Sequence, residues 1–378
     1  MNLEKIQIQQ ALATISIAGE GKNMIESGAI TNIVIFGNEI IIDLTLSSPA
    51  MHIKKRAEDD IKNLLKQQFS DQIIVKINTK IQTPEANPNQ IKGKAIPGIN
   101  NIIAVASGKG GVGKSTVTAN IAVTLAKMGF AVGILDADIY GPSMPIMFDV
   151  ENQKPISITI DGKSKMKPVE SYEIKILSIG FFTAPSQAVI WRGPMASKAL
   201  NQMIFDAHWG ELDFLLIDLP PGTGDIHLSI MQSLPITGAV VVSTPQNVAL
   251  ADAKKGVSMF LSDAINVPVL GIIENMAYFC TPENPTQKHY IFGQHGAKNL
   301  ADDLEIPFLG EVPLEQNIRE SADYGRPAAL QTNSQTTTIF EQITRNIIQE
   351  TVVRNHNLPA TEAIKITTMA GCSAIKKT

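Results

Sequence analysis

Cysteine is almost absent: Cys280 and Cys372 are the two thiols in 378 residues. Two cysteines build no disulfide framework, so a reducing compartment, the cytoplasm, is expected. Nowhere do about 18 apolar residues follow one another, so no membrane-spanning helix is predicted. The opening MNLEKIQIQQ has neither the basic stretch nor the apolar run of a secretory leader, and none is expected. A strong charge of one sign is also missing. The formal net charge is −4, and acidic and basic residues nearly balance over the first 95 positions. That speaks against a dedicated nucleic-acid binder. What is present is a globular composition, 44% hydrophobic and 18% charged, in a chain longer than one typical domain.

Residues 1–80 read as a small α/β unit. The β-branched runs Ile33–Phe36 and Ile40–Leu46 flank Gly37-Asn38, a hairpin signal. Ser48-Pro49 suits a helix start, and Ile53, Ala57, Ile61, Leu64 and Leu65 continue at helical spacing. A strand over Ile73–Ile77 closes the unit. Residues 81–100, with Pro84, Pro88 and Pro97, read as a linker. From 101 to 354 short apolar strands alternate with helical patterns, the strands at 102–106, 131–135, 214–218, 239–243, 269–273 and 308–309. That alternation predicts a mostly parallel sheet covered by helices on both faces. Ligands of such sheets bind beyond the carboxyl ends of the strands. Residues 355–378 read as a mobile tail.

Gly108-Lys109-Gly110-Gly111-Val112-Gly113-Lys114-Ser115, followed by Thr116, satisfies G-x-x-x-x-G-K-[ST] between a predicted strand and a predicted helix. Glycines let backbone N–H groups turn inward around phosphate oxygens, and the helix N-terminus adds positive potential. Lys114 is expected on the β- and γ-phosphates of ATP, and Ser115 on Mg²⁺. Asp218 ends the apolar run Phe214–Ile217, the position of a carboxylate that serves the same magnesium. It leads into Pro220-Pro221-Gly222-Thr223-Gly224-Asp225, a loop suited to sensing a γ-phosphate. Asp136 and Asp138 follow the strand ending at Leu135, where helix capping competes with catalysis. Asp225 fits a loop cap equally well, and His227 reads as packing.

The early lysine, Lys109, makes this loop resemble the deviant Walker A of the MinD, ParA, NifH and Mrp superfamily of P-loop ATPases. Asp136–Ser143, Arg192-Gly193-Pro194-Met195, Asp218–Asp225 and Glu274-Asn275-Met276 resemble its Mrp/ApbC branch, which contains iron–sulfur cluster carriers. The first 80 residues resemble, more loosely, the small iron–sulfur assembly domain that often precedes this ATPase. The resemblance implies a homodimer in which Lys109 reaches the partner's nucleotide, an Asp138 that positions water, and an Asp136 that supports magnesium. It further implies an Asn275 that contacts adenine, and apoprotein clients and scaffold proteins as partners. It assigns Arg192 no chemistry.

One departure stands out. The family usually carries C-x-x-C shortly after the Asn-Met motif, whereas this chain reads Cys280-Thr281-Pro282-Glu283. Cys372 would bring the count to four thiols per dimer if the tail folds back, enough for one cluster. Alternatively Cys280 is a small buried hydrophobe. Three functions therefore stand at this stage. They are an ATP-hydrolysing cluster carrier, a MinD- or ParA-like positioning ATPase, and an ATPase that has lost its cluster. The positioning reading lacks both a basic amphipathic C-terminal helix and a basic DNA face. A small-metabolite kinase is disfavoured by Lys109 and the Asp136/Asp138 motif.

Overall fold

The computed structural model describes residues 5–15, 23–36, 39–46, 51–70, 73–81, 96–182, 193–263, 265–281, 283–332 and 334–358. Gly37-Asn38, Ser48-Pro49, Pro84, Pro88, Arg192 and Cys372 lie outside them, as does the side chain of Asp225.

The N-terminal elements are α1 (Lys5–Leu12), β1 (Ile30–Phe36), β2 (Glu39–Leu46), α2 (Met51–Gln68) and β3 (Ile74–Ile81). β1 and β2 pair antiparallel, and β2 and β3 pair parallel. Alternate residues of β2, Ile40, Ile42 and Leu44, point into one core, as period-2 geometry requires. Ile8 and Leu12 of α1 and Ile61 and Leu65 of α2 close it. The helix α1 was not predicted from the sequence, because KIQIQQAL is too short and too polar to show a clear stripe.

The second sheet begins with β4 (Ile99–Ala106), two residues before the expected end of the linker. It continues through α3 (Lys114–Lys127), β5 (Val132–Asp136), α4 (Met144–Met147), the hairpin β6 (Ile156–Ile160) and β7 (Lys163–Lys167), β8 (Val169–Ser171) and β9 (Ile174–Ser178). Next come α5 (Gly193–Phe205), β10 (Leu212–Asp218), α6 (Asp225–Ser233), β11 (Gly238–Ser243), α7 (Asn247–Leu261) and β12 (Val269–Asn275). A second hairpin, β13 (Phe279–Thr281) and β14 (Asn284–His289), precedes α8 (Gly296–Asp303), β15 (Phe308–Val312), α9 (Gln316–Asp323) and α10 (Gln335–Asn357). α10 runs two residues past the 355 at which the tail was expected to start.

Eight strands form this sheet in the order β15-β12-β11-β4-β10-β5-β9-β8, all parallel but for the β8–β9 pair. Every residue of β10, β11 and β12 is buried, the signature of a sheet covered on both faces. Ile103 and Val105 of β4 pack toward Val117 and Ile121 of α3 and Phe340 and Ile343 of α10. Ile102, Ala104 and Ala106 pack the other way, with Leu200 of α5, Met231 of α6 and Phe260 of α7. The two layers carry the carboxyl ends of β4, β10 and β5 side by side.

Candidate functional site

β4 delivers the chain into the turn Ser107–Gly113, and Lys114 opens α3. Gly113 adopts φ 81°, a left-handed conformation that only glycine takes cheaply, and a Cβ there would collide with the Asn275 amide. A Cβ on Gly108 would collide with the backbone joining Asp252 and Ala253 of α7, so the loop lies directly on that helix. Gly110 and Gly111 form the exposed tip, and Val112 is buried. The Ser107 hydroxyl donates to the Lys109 carbonyl at 3.0 Å, and the Gly222 N–H donates to the Ser107 carbonyl at 2.9 Å. The second bond joins the Pro-Pro-Gly loop to the phosphate loop.

Beneath the loop is a buried polar knot. Lys114 is 6% exposed, and its Nζ stands 2.9 Å from Oδ2 of the fully buried Asp218. The Ser115 hydroxyl donates to the same oxygen at 2.6 Å. Thr118 donates from Oγ1 to Asp218 Oδ1 at 2.8 Å and also contacts the Lys114 carbonyl. Charge pairing and hydrogen bonds satisfy both carboxylate oxygens without water, which a buried ion requires. Thr116 is half-buried, and its carbonyl accepts from Asn120 Nδ2, while Asn120 Oδ1 accepts the Ala329 N–H at 2.8 Å. The sequence reading did not name Thr118; its spacing of four from Lys114, one face of α3, was the available signal.

Asp136 is the register partner of Asp218 across β5 and β10. Its Oδ2 accepts from the Ser143 and Met144 N–H groups at 3.1 Å and from Ser178 Oγ at 2.9 Å, and its Oδ1 accepts the Asp138 N–H at 3.2 Å. Burial, and then the neighbouring Asp218 carboxylate, push Asp136 up to about 7. The contacts of Asp136 shape the turn from Asp138 to Met144. Asp138 is half-buried and accepts the Tyr140 and Gly141 N–H groups at 3.2 Å, the capping arrangement weighed against catalysis above. Ser178, which also meets Asp136, sits in a strand with no local sequence signal for such a role.

Asn275 ends β12 and is 7% exposed. Its Nδ2 donates to the Val112 carbonyl at 2.8 Å, so it braces the phosphate loop, a role not foreseen for a presumed adenine contact. Lys109 is half-buried and its ammonium forms no ion pair among the described residues. His227 is 1% exposed, and neither ring nitrogen has a partner among the described residues. Its burial lowers its pKa. Cys280 is half-buried in β13 with a free thiol, and Glu283 is exposed in the hairpin turn. Beside it Lys288 Nζ sits 3.8 Å from the centre of the Tyr278 ring. The structure therefore joins Lys114, Ser115, Asp218, Asp136 and Asn275 to the phosphate loop, while Cys280 occupies a separate hairpin.

Glycine-rich turn, buried lysine, hydroxyl at the helix start and strand-end carboxylate define a P-loop nucleotide-binding protein with a mostly parallel sheet. Comparison with known proteins narrows the class. The family described as NUBPL iron-transfer P-loop NTPase, of the ParA type, matches residues 98–348, and that of iron–sulfur cluster assembly proteins matches residues 5–74. This chain belongs to the iron-transfer P-loop NTPase family. An iron–sulfur cluster carrier protein of Aquifex aeolicus is 52% identical over 239 residues, 63% of this chain and 64% of that protein. One of Synechocystis is 40% identical over 307 residues, 81% of this chain and 86% of that protein. Among solved structures, the nucleotide-binding protein of Archaeoglobus fulgidus in complex with ADP superposes with a TM-score of 0.53 at 41% identity. That match covers 62% of this chain and 90% of the other.

Proposed function

We propose that this chain hydrolyses ATP and carries iron–sulfur clusters to apoproteins as a homodimer in the cytoplasm. The observation that carries the first half is the knot of Lys114, Ser115 and Asp218. A lysine and a hydroxyl held on one buried carboxylate are the groups that must exchange partners when Mg-ATP enters. Lys114 turns to the β- and γ-phosphates, and the charge on Asp218 is then free for a cation. The oxygen donors Ser115 and Asp218 fit a hard ion such as Mg²⁺, which when bound neutralises phosphate charge. Asp138 orients the attacking water once its turn opens, and Asp136 holds that turn in place. Asn275 reads adenine with the amide edge left free by its bond to Val112. Lys109, in no ion pair among the described residues, supports transition-state charge in the partner's site as an arginine finger does.

Family membership, with carriers as relatives over most of the chain, supports the second half. Clients are apoproteins and donors are scaffold proteins. Cargo transfer follows if ATP and ADP stabilise different dimer geometries. A reading in which the ATPase persists without a cluster is favoured by one observation: Cys280 is the single thiol among the described residues.

The nucleotide half is tested by turnover. Lys114→Ala abolishes ATP binding or hydrolysis. Lys109→Ala keeps ATP affinity within a few-fold while hydrolysis falls by about 10³ or more, the scale of a trans-acting cation. Wild-type turnover in Lys109→Ala would remove the trans role and leave the site acting within one chain.

A further inference from the structure

A second cluster of ligating groups lies away from the phosphate loop. Glu274 of β12 and Glu311 of β15 are register partners on adjacent parallel strands, so their side chains emerge on the same face. His295, in the turn before α8, completes the group. One ligand atom from each of the three lies within 4.8 Å of the other two. The spacing suits an ion. His295 Nδ1 and Glu311 Oε1 stand 3.0 Å apart, hydrogen-bonded to each other when no ion lies between them. Two ligands at about 2.1 Å from one first-row metal stand roughly 3 Å apart in cis and 4 Å in trans.

The independent observation is Glu274. It is fully buried; one oxygen, Oε2, accepts the Ala297 N–H at 2.5 Å, and the other, Oε1, has no partner among the described residues. A buried carboxylate oxygen with nothing to bind is costly, and a cation held between the three side chains would supply the missing partner. Helix capping by the Ala297 and Lys298 N–H groups leaves Oε1 without a partner among the described residues. The site also has an approach from solvent, because the His295 side chain is 38% exposed and that of Glu311 18%. Lys288, 3.4 Å from Glu311 Oε2, competes with an ion for that carboxylate and swings away when one binds.

We infer that Glu274, His295 and Glu311 form a binding site for one divalent transition-metal ion per chain. One imidazole and two carboxylates suit Zn²⁺ or Fe²⁺ better than Mg²⁺, which prefers oxygen alone. The site neighbours two functional segments. Asn275, which braces the phosphate loop, follows Glu274 directly, and the Cys280 hairpin follows Asn275. An ion here ties β12, β15 and the start of α8 together at the base of that hairpin.

The test is calorimetric titration of the tag-free, nucleotide-free full chain with Zn²⁺. To separate this site from thiol binding, the measurement is repeated with Cys280 and Cys372 both changed to serine. One site per chain is expected in both proteins. His295→Gly suits the φ of 56° at that position and removes the imidazole, so it should fold normally and lose 10- to 100-fold in Zn²⁺ affinity; Glu311→Gln should lose a similar factor. Retained ATP binding in both variants shows that the fold survived. The proposal is overturned if the wild type takes up no stoichiometric Zn²⁺. It is equally overturned if the serine variant loses the site, or if His295→Gly and Glu311→Gln bind as tightly as the wild type.

Discussion

At the scale of single residues, the nucleotide site is a set of buried polar groups held by one another. Asp136 shows the consequence for pH. Its native carboxyl keeps a proton up to about pH 7, whereas the unfolded group releases it near 3.8. Between those values the native state binds the extra proton, so this group's contribution to stability falls as pH rises from about 4 to 7. Urea unfolding of the nucleotide- and magnesium-free protein should show it. The stability difference between wild type and Asp136→Asn shifts against the wild type from pH 5 to pH 8; a difference independent of pH contradicts the assignment. Asn275→Ala leaves the Val112 carbonyl buried and unpaired, at about 1–3 kcal/mol. ATP affinity should fall along with stability, as read by nucleotide titration and urea midpoints. Lost affinity with unchanged stability would mean that Asn275 contributes through the base alone.

At the scale of elements, the phosphate loop works because β4, α3, α7 and β12 meet at it. Gly108 rests on the α7 backbone at Asp252 and Ala253, and no side chain fits between. Gly108→Ala must push loop and helix apart, at a cost of about 1–3 kcal/mol, measurable by thermal or urea unfolding. An unchanged midpoint would show that the two elements are not in contact. These same elements were largely legible in the sequence, and the reason is burial. A strand covered on both faces must be a continuous apolar run, as Phe214–Ile217 and Ala239–Val242 are. The G-x-x-x-x-G-K-S spacing is legible because a phosphate cradle tolerates few alternatives. What stayed hidden was of two kinds. The hairpins β6–β7 and β13–β14 are short: Ile156, Ile158 and Ile160 alternate with polar residues over a single short strand only, and the partner strands, Lys163–Lys167 and Asn284–His289, are nearly all polar. The bonds of Asn275 to Val112 and of Ser178 to Asp136 span 163 and 42 positions, and local pattern holds no trace of such distances.

At the scale of the whole molecule, a three-stranded α/β unit that matches an iron–sulfur cluster assembly family and an eight-stranded sheet that matches an iron-transfer P-loop NTPase family share one chain. No described helix is long and apolar enough to cross a membrane. Lys114, Ser115 and Asp218 meet within one chain, whereas Cys280 is the single thiol among the described residues. A bridging cluster needs more ligands than one hairpin holds, so the carriage proposed above draws on further thiols, those of Cys372 and of a second chain. The decisive measurement is anaerobic reconstitution with iron and sulfide, followed by the visible spectrum and the iron content per chain, for wild type, Cys280→Ala and Cys372→Ala. A carrier dimer using all four thiols shows a broad cluster absorption with stoichiometric iron in the wild type, lost in either variant. A wild type that takes up no cluster contradicts carriage and leaves an ATPase acting on some other cargo.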